Sequence, residues 1–317
     1  MKIPIKLPPK VDFDAVGFGL NAVDHLIVVP GYPAFDTKVK FIAYEKGAGG
    51  QTASAMVALQ RLGLKTAYAG RFGSDEDGRF GFMSLEYEGV DLEYAQMIEG
   101  ADNQLAFIII DEGSGERTII WDRDERLSYR PDEAPFDLAR RGRVLHLDAH
   151  DPPACYVMAK AAREAGAIVT ADIDNVYEGV ELLLPLIDVL ITSSQFPQQL
   201  TGNNDLRTSL PELHARYGCP IVGATLGAQG AIVLCADEFI ESPSLPVPGG
   251  CRDTTGAGDA FHAGFIYGLL GEEDLETCME LGNAVAALNC RALGARQTLP
   301  TMDELNEFRA SLADRKT

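Results

Sequence analysis

Short apolar runs alternate with amphipathic segments along most of the chain. The apolar runs predict strands at 14–19, 65–70, 143–149, 167–173, 188–193, 220–227 and 230–236. The segments with helical spacing predict helices at 51–62, 153–165, 178–186, 195–201, 205–217, 259–270, 273–290 and 302–313. Strands and helices in alternation are typical of an α/β fold, a doubly wound parallel sheet flanked by helices. Ligands of such sheets bind beyond the carboxyl ends of the strands.

Two stretches depart from this alternation and have the pattern of antiparallel strands. They are 26–44 (LIVVP…VKFIAYE) and 105–121 (LAFIIIDEGSGERTIIW). The second is typical of a hairpin with Gly113 and Gly115 in its turn. We expect the two stretches to form a small antiparallel sheet that covers one end of the main sheet as a lid.

The composition is that of a globular protein without a flexible linker. Apolar residues make up 46% of the chain and charged residues 23%. No change of composition separates one part of the chain from another. We therefore expect residues 1–317 to form a single domain, with the β-lid contributed by about 20–45 and 104–126.

The charge balance excludes two classes of partner. The chain has 27 Lys and Arg against 47 Asp and Glu, a net charge of −20. Nucleic acid and anionic membrane surfaces both need clustered positive charge, so we expect neither as a partner. The start, MKIPIKLPPK, lacks the apolar stretch of a signal peptide, and no segment approaches the ~20 apolar residues of a membrane span. We expect a soluble, cytoplasmic protein. A small anionic ligand stays compatible with this charge, because a helix N-terminus or a metal ion can hold it locally.

The stretch DTTGAGDAF at 253–261 places a glycine-rich turn directly before an apolar helix. Gly256 and Gly258 permit close approach of the backbone, and N–H groups at a helix N-terminus attract an anion. A tight turn with an aspartate N-cap is the alternative. A P-loop has Lys and Ser/Thr after its glycines, whereas Asp259 follows here. Because kinases use such a carboxylate to accept the proton of the attacking hydroxyl, Asp259 is the candidate base.

The longer motif DTTGAGDAFHAGF resembles the C-terminal signature of the ribokinase-like, or pfkB-type, carbohydrate kinases. ERTIIW (116–121) is similar to the lid of the ketohexokinase-like branch, which favours a ketose. Further resemblance lies in GAGGQTASAMVALQRLG (47–63), RFGSDEDGRFG (71–81), ATLGAQGA (224–231) and LGNAVAALNCRALGA (281–295). The resemblance implies a ribokinase-like α/β fold with a β-lid. It also implies transfer of the γ-phosphoryl group from ATP, with Mg²⁺, to a hydroxyl of a ketose- or pentose-type sugar.

By position, the resemblance also implies roles for individual residues. Asp259 would be the base, and the N–H groups of Gly256, Ala257 and Gly258 would surround the transferring phosphoryl group. The residues that would border the nucleotide are Thr225, Gly227, Gly230, Asn283, Gly256 and Gly258. Those that would bind the acceptor are Asp24, Gly49, Gly50, Ser54 and Asp259. Many members of the family bind a monovalent cation such as K⁺. Asp253, Thr255 and Gly294 stand at the positions of that cation site. A homodimer through the lid is a further implication.

Two positions depart from the family pattern. Ser54 stands where the family usually has Asn, so contact with the acceptor there must change or pass through water. Ser193 and Phe196 stand where the family often has Asn-x-x-Glu, whose Glu is linked to magnesium. Magnesium would then be held mainly by phosphates and water. Arg117 either reaches the acceptor from the lid or is an exposed hairpin residue, and we favour the exposed residue.

The histidines allow two interpretations each. His146, Asp148 and His150 alternate, and so share one face of a predicted strand as a metal trio or as a strand end near the sugar. We favour the strand end, because no further ligand is near in sequence. His262 lies one turn after Asp259, where it either tunes the base or packs beside it.

Functions other than a sugar kinase stay open at this point. A nucleoside kinase of the same fold is one, and a non-catalytic sugar sensor is another, favoured by the two departures and opposed by the intact GAGD. An NAD-dependent oxidoreductase is suggested by VGFGLN (16–21), whose spacing does not complete G-x-G-x-x-G. The identity of the sugar, the hydroxyl that reacts and a phosphate already on the acceptor are also open.

Overall fold

The computed structural model describes residues 1–113 and 115–314. Its strands are β1 (Phe13–Phe18), β2 (Ala22–Val29), β3 (Ala43–Gly49), β4 (Thr66–Ala69), β5 (Arg71–Gly73), β6 (Gln96–Ile98), β7 (Leu105–Asp111), β8 (Arg117–Asp122), β9 (Gly142–Leu147), β10 (Ile168–Ile173), β11 (Val189–Ser193), β12 (Ile221–Thr225), β13 (Ala231–Cys235) and β14 (Glu238–Ser242). Its helices are α1 (Gln51–Arg61), α2 (Glu76–Tyr87), α3 (Phe136–Ala139), α4 (Pro152–Glu164), α5 (Val180–Leu183), α6 (Gln195–Thr201), α7 (Leu206–Tyr217), α8 (Ala257–Leu270), α9 (Leu275–Asn289) and α10 (Met302–Asp314).

The main sheet has eight strands in the order β14-β13-β12-β11-β10-β9-β1-β4. The strands from β12 to β4 run parallel, and β13 and β14 are added antiparallel at one edge. Every strand that the sequence predicts outside the lid lies in this sheet. The predicted α/β fold with a mostly parallel sheet is therefore confirmed.

Both faces of the sheet are covered, because neighbouring residues of each strand enter different cores. In β9, Val144 belongs to the core that includes α1, α8 and α9, and Leu145 belongs to the core that includes α4 and α7. Strands buried on both faces appear as continuous apolar runs, which explains why the pattern revealed them. No helix among the described residues has the length and apolar character to cross a membrane.

Five elements of the structure were not predicted from the pattern: the short β5, β6 and α3, together with α2 and β14. Helix α2 contains Gly78 and Gly81, which weaken its helical signal. Gly78 is required there, since a Cβ would lie 1.8 Å from the carbonyl oxygen of Gly73. Strand β14 is half polar and forms the edge of the sheet, so it has no continuous apolar run.

The turn after β1 is not a dinucleotide fingerprint. A Rossmann motif leads from its first strand into a helix, whereas β2 follows β1 here. Gly19 packs instead against Asp148, whose Oδ2 would lie 2.0 Å from a Cβ at this position. The oxidoreductase alternative is therefore wrong on structural grounds.

The predicted lid is a separate four-stranded sheet in the order β3-β2-β7-β8. Its outer pairs are antiparallel, and its central pair, β2 with β7, is parallel. The predicted strand at 26–44 divides into β2 and β3, with a connection at 30–42. The predicted hairpin is β7–β8, and Ser114 in its turn lies outside the described residues. One face of the lid is turned toward the carboxyl ends of the main strands.

Candidate active site

A cleft of about 580 Å³ lies between the lid and the carboxyl ends of the main strands. The sequence-predicted site residues that line it are Asp24, Gly50, Thr225, Gly227, Gly230, Thr255, Gly256, Ala257, Gly258, Asp259 and Asn283. Those that lie behind its wall are Gly49, Ser54, Asp253 and Gly294. Residues far apart in sequence therefore meet at one site, as expected for an open α/β sheet.

The glycine-rich turn forms one end of the cleft. Gly256 precedes α8 in the left-handed conformation, with φ 74° and ψ 4°. A Cβ at Gly256 would lie 2.7 Å from the Cα of Ala295, so both the conformation and the packing demand glycine. Gly258 has open space instead, since the nearest atom to a Cβ there is Asp172 Oδ2 at 3.9 Å.

The backbone of this turn presents free donors. The Ala257 N–H donates to the carbonyl oxygen of Thr254 at 3.1 Å and closes the turn. The N–H groups of Gly256, Gly258 and Asp259 have no hydrogen-bond partner within the described chain. No side chain caps α8 either. The N-terminus of this helix is thus prepared to bind an anion. The N-cap alternative does not hold, because Asp259 lies inside the helix.

Asp259 lies in the first turn of α8, beside these donors, and is 9% exposed. Burial, and next the neighbouring carboxylates of Asp172 and Asp24, raise the pKa of Asp259 well above its ordinary value. A carboxylate with a raised pKa holds a proton more strongly than an exposed one. The side chain therefore has the chemistry of a proton acceptor at the mouth of the anion site.

Asp172 and His262 form a buried pair next to Asp259. His262 Nε2 lies 3.3 Å from Asp172 Oδ1. Burial alone would raise the pKa of Asp172, but His262, together with His146 and Gln51, outweighs it and the pKa is lowered. His262 thus contacts Asp172, which lies next to the candidate base Asp259. This contact agrees with the interpretation that His262 packs beside the base.

The residues predicted to border the nucleotide outside the glycine-rich turn, namely Thr225, Gly227, Gly230 and Asn283, form another part of the cleft. Gly230, at φ 95°, would bring a Cβ to 2.0 Å from the carbonyl oxygen of Ser242. Asn283 Nδ2 donates to Ser242 Oγ at 2.9 Å and to the carbonyl oxygen of Pro243 at 3.2 Å. Asn283 therefore ties α9 to the end of β14 and shapes this border of the cleft.

Asp24 and the glycines before α1 form the corner of the cleft in which the acceptor is predicted to bind. A Cβ at Gly49 would lie 2.2 Å from Asp24 Oδ2, and a Cβ at Gly50 would lie 2.5 Å from the Cα of Asn21. Asp24 is 5% exposed and lines the cleft. Burial raises the pKa of Asp24 to about 6, against the opposing charge of Arg296.

Arg296 is the functional residue that the sequence-based prediction missed. Its guanidinium is buried and donates to Ser54 Oγ at 3.0 Å, to Ser84 Oγ at 3.0 Å and to the carbonyl oxygen of Gly49. Burial lowers the pKa of Arg296 to about 10. The only signal for it in the sequence was the departure at Ser54, because a serine leaves room for a guanidinium.

The structure does not place Ser54 where it could contact an acceptor directly. It is fully buried in α1, its hydroxyl is engaged by Arg296, and it does not line the cleft. Arg296 connects the Ser54 hydroxyl to the carbonyl oxygen of Gly49.

The three residues predicted to bind a monovalent cation are joined to one another by hydrogen bonds. Asp253 Oδ1 accepts from the Thr255 N–H at 2.9 Å and from its hydroxyl at 2.8 Å, and Oδ2 accepts from the Gly294 N–H at 2.8 Å. This arrangement joins the turn before α8 to the loop after α9 without an ion. K⁺ dependence stays a prediction.

The structure also shows where Ser193 and Phe196 lie, the two residues that depart from the Asn-x-x-Glu pattern linked to magnesium. Phe196 is fully buried in the core, and Ser193 Oγ donates to the carbonyl oxygen of Asp174 at 3.2 Å. Among the described residues, no three His, Cys, Asp or Glu lie in a group that could hold a metal ion. These side chains would not surround a magnesium ion with protein ligands. They fit an ion that is held by the phosphates and by water molecules.

The alternating trio separates in the structure, because β9 ends at Leu147 and only His146 lies within it. His146 is fully buried, with its ring nitrogen Nδ1 2.9 Å from Thr170 Oγ1. Asp148 Oδ2 accepts from the Leu20 N–H at 2.7 Å. His150 lines the cleft. His150 at the cleft agrees with the favoured interpretation, in which these residues mark the end of a strand near the site.

Arg117 reaches the anion-hole turn from the lid. It lines the cleft, and its guanidinium donates to the hydroxyl of Thr254. Arg117 is exposed on β8 of the hairpin, as the favoured interpretation expects, and it also lines the cleft.

Comparisons with known proteins agree with the site. The family model described as pfkB family carbohydrate kinase matches residues 14–302. An uncharacterized sugar kinase of Archaeoglobus fulgidus is 34% identical over 268 residues, 77% of this chain and 98% of the relative. An ATP-dependent ribose-1-phosphate kinase of Halopiger xanaduensis is 28% identical over 90% of this chain and 94% of the relative. The crystal structure of a candidate ribokinase from Agrobacterium tumefaciens has a TM-score of 0.86 and 28% identity, and covers 95% of this chain and 99% of that one.

Proposed function

Because the chain belongs to the pfkB family of carbohydrate kinases, we propose that it transfers the γ-phosphoryl group of ATP to a hydroxyl of a ketose- or pentose-type sugar. One observation carries the proposal. The free N–H groups at the start of α8 and the buried carboxylate of Asp259 lie in one turn and line one cleft. Such a turn can hold a phosphoryl group beside the group that activates its acceptor.

Asp259 acts as the general base in this proposal. The acceptor hydroxyl gives its proton to the carboxylate as its oxygen attacks the γ-phosphorus, and the bond between the γ-phosphorus and the bridging oxygen breaks, so that ADP leaves. The raised pKa of Asp259 supports this role, since a carboxylate that binds protons more strongly is a better base once ionised. Asp24 accepts hydrogen bonds from other hydroxyls and orients the acceptor.

The helix N-terminus and the lid hold the phosphoryl group. The N–H groups of Gly256 and Gly258 contact its oxygens, and Arg117 adds a positive charge from the lid. Magnesium, when bound with ATP, would neutralise phosphate charge. Closure of the lid excludes water and so limits hydrolysis of ATP.

The ketohexokinase-like branch and the nucleoside kinases stay as alternatives for the acceptor. The free helix N-terminus and the intact Asp259 oppose a non-catalytic sensor. An assay of ADP release with ribose, fructose, other ketohexoses and nucleosides tests the proposal. We expect one acceptor to increase ADP release at least tenfold over ATP alone. Equal ADP release with and without every acceptor would overturn it.

We also propose that the outer face of the lid joins two copies of the chain. Tyr44, Phe107 and Ile120 are about half exposed on this sheet. Exposed apolar groups clustered on one face favour association. Light scattering after gel filtration should give a dimer for the natural chain and a monomer for Phe107→Asp. A monomeric natural chain at assay concentration contradicts this interface.

A further inference from the structure

Gln104, the residue before β7, has a buried oxygen without a partner. The side chain is 6% exposed and lines the cleft, and its Oε1 has no hydrogen-bond partner among the described residues. The backbone of the same residue is satisfied, because its carbonyl oxygen accepts from the Val23 N–H at 3.0 Å and from Asn103 Nδ2 at 2.9 Å. A buried carbonyl oxygen that lacks a donor is costly, so a donor supplied by a ligand would remove that cost.

The register of the lid places Gln104 at the acceptor end of the cleft. In the β2–β7 pair, Asp24 stands opposite Ala106. Gln104 lies two residues before Ala106 and so shares its face of the sheet. Leu20 and Ala22 also line the cleft, and they supply an apolar border. Gln104 and Asp24 therefore face the same small volume, away from the nucleotide end.

The charges of this volume are acidic. Asp24, Asp172, Asp174 and Asp259 all line the cleft, and among the described residues that line it Arg117 is the one lysine or arginine. Arg117 is engaged with Thr254 at the anion hole.

Neighbouring cations are engaged elsewhere. Arg296 lies behind Gly49, and Arg123 Nη2 is 2.9 Å from Asp151 Oδ2. His150 Nε2 lies 3.1 Å from the Tyr177 hydroxyl. A phosphate on the acceptor would meet carboxylates here, while each of the neighbouring cations already has another hydrogen-bond partner.

We propose that Gln104 binds the acceptor and that the acceptor is an unphosphorylated sugar, free or as the ribosyl part of a nucleoside, one of whose hydroxyls donates to Gln104 Oε1. This rests on the proposed kinase function and narrows its substrate class. It separates this chain from the relative named for ribose 1-phosphate, whose substrate already has a phosphate.

The first test replaces Gln104 with Met, which keeps the length of the side chain and removes the acceptor oxygen. The KM for the best acceptor should rise about tenfold, with the KM for ATP changed less than twofold, as expected for one lost hydrogen bond. Gln104→Glu keeps an acceptor oxygen and should retain more of the acceptor affinity than Gln104→Met. Gln199→Met, at an exposed position of α6, is the matched control. An unchanged acceptor KM in a folded Gln104→Met protein overturns the role of Gln104.

The second test compares pairs of acceptors by calorimetry without ATP. The pairs are ribose with ribose 1-phosphate, fructose with fructose 6-phosphate, and adenosine with AMP. The unphosphorylated member of the preferred pair should bind at least about 100-fold more tightly, because like charges in contact cost several kcal/mol. Tighter binding of the phosphorylated member, or of neither, overturns the inference. Binding of a free sugar without ADP release in the assay would instead overturn the kinase function and leave the acceptor site intact.

Discussion

The two ends of the cleft are built in different ways. The anion-hole end comes from one contiguous turn, 253–259, and its donors belong to the backbone. The acceptor end comes from side chains of distant segments, namely Asp24 from β2, Gln104 from before β7 and Arg296 from after α9. A site made of backbone groups depends on local conformation, whereas a site made of side chains depends on the packing of several elements. Substitutions at the two ends should therefore fail in different ways.

The largest expected effect is at the carboxylate that the two ends share. Asp259→Asn should lower kcat by roughly 10²–10⁴-fold, the usual contribution of a positioned base. The dissociation constant for ATP should change little, because the backbone donors stay in place. Single-turnover kinetics and calorimetry measure the two quantities. Asp137→Asn, at an exposed site on α3, is the control. A fully active Asp259→Asn protein would remove Asp259 from the chemistry.

The acceptor end should show the largest effect on stability. Arg296→Met leaves the Gly49 carbonyl oxygen and the hydroxyls of Ser54 and Ser84 without their donor. The free energy of unfolding in urea should fall by about 3 kcal/mol, as for other broken buried charge networks. Arg140→Met is the matched control, since its partners are exposed and the loss should stay under about 1 kcal/mol. Equal losses in the two variants would show that Arg296 does not organise this end.

Two alanine substitutions in the turn separate conformation from ligand contact. Gly256→Ala should destabilise the protein by about 1–2 kcal/mol, because the left-handed φ and the contact with Ala295 both oppose a Cβ. Gly258→Ala should leave stability within about 0.5 kcal/mol, as is usual away from strained positions, and should raise the KM for ATP. Thermal unfolding and steady-state kinetics test the pair. The reverse ranking of stability would contradict the described turn.

The smallest effect is the pH response of Asp24, whose pKa is raised by burial from 3.8 to about 6. Below pH 6 the side chain gains a proton and accepts fewer hydrogen bonds, so kcat/KM for the acceptor should fall up to about tenfold per pH unit. The folded state binds this proton more tightly than the unfolded state. Its contribution to stability is therefore complete below the unfolded pKa and is lost as pH rises through 6. The difference in Tm between the natural chain and Asp24→Asn, measured from pH 4 to pH 7, isolates this contribution. A constant difference would contradict the raised pKa.

Prediction from the sequence succeeded for elements with a strong local signal. Apart from β14, the strands of the main sheet are mostly buried and apolar, and all seven were located. Strand β14 was not located, because an edge strand with polar residues resembles a loop. Helix α2 was missed for a similar reason, since its glycines serve a close contact with Gly73 rather than helix formation. The lid was predicted as antiparallel, and the parallel pairing of β2 with β7 joins segments that are far apart in sequence.

The sequence by itself determined the fold class and the glycine-rich turn with its aspartate, because apolar periodicity and the conformational freedom of glycine act over a few neighbouring residues. Only the tertiary structure decided that Ser54 supports Arg296 instead of touching a ligand, and that Gln104 faces the same volume as Asp24. Burial, charge and hydrogen-bond satisfaction are properties of side chains brought together from distant segments. No local pattern of residues contains them until the chain has folded.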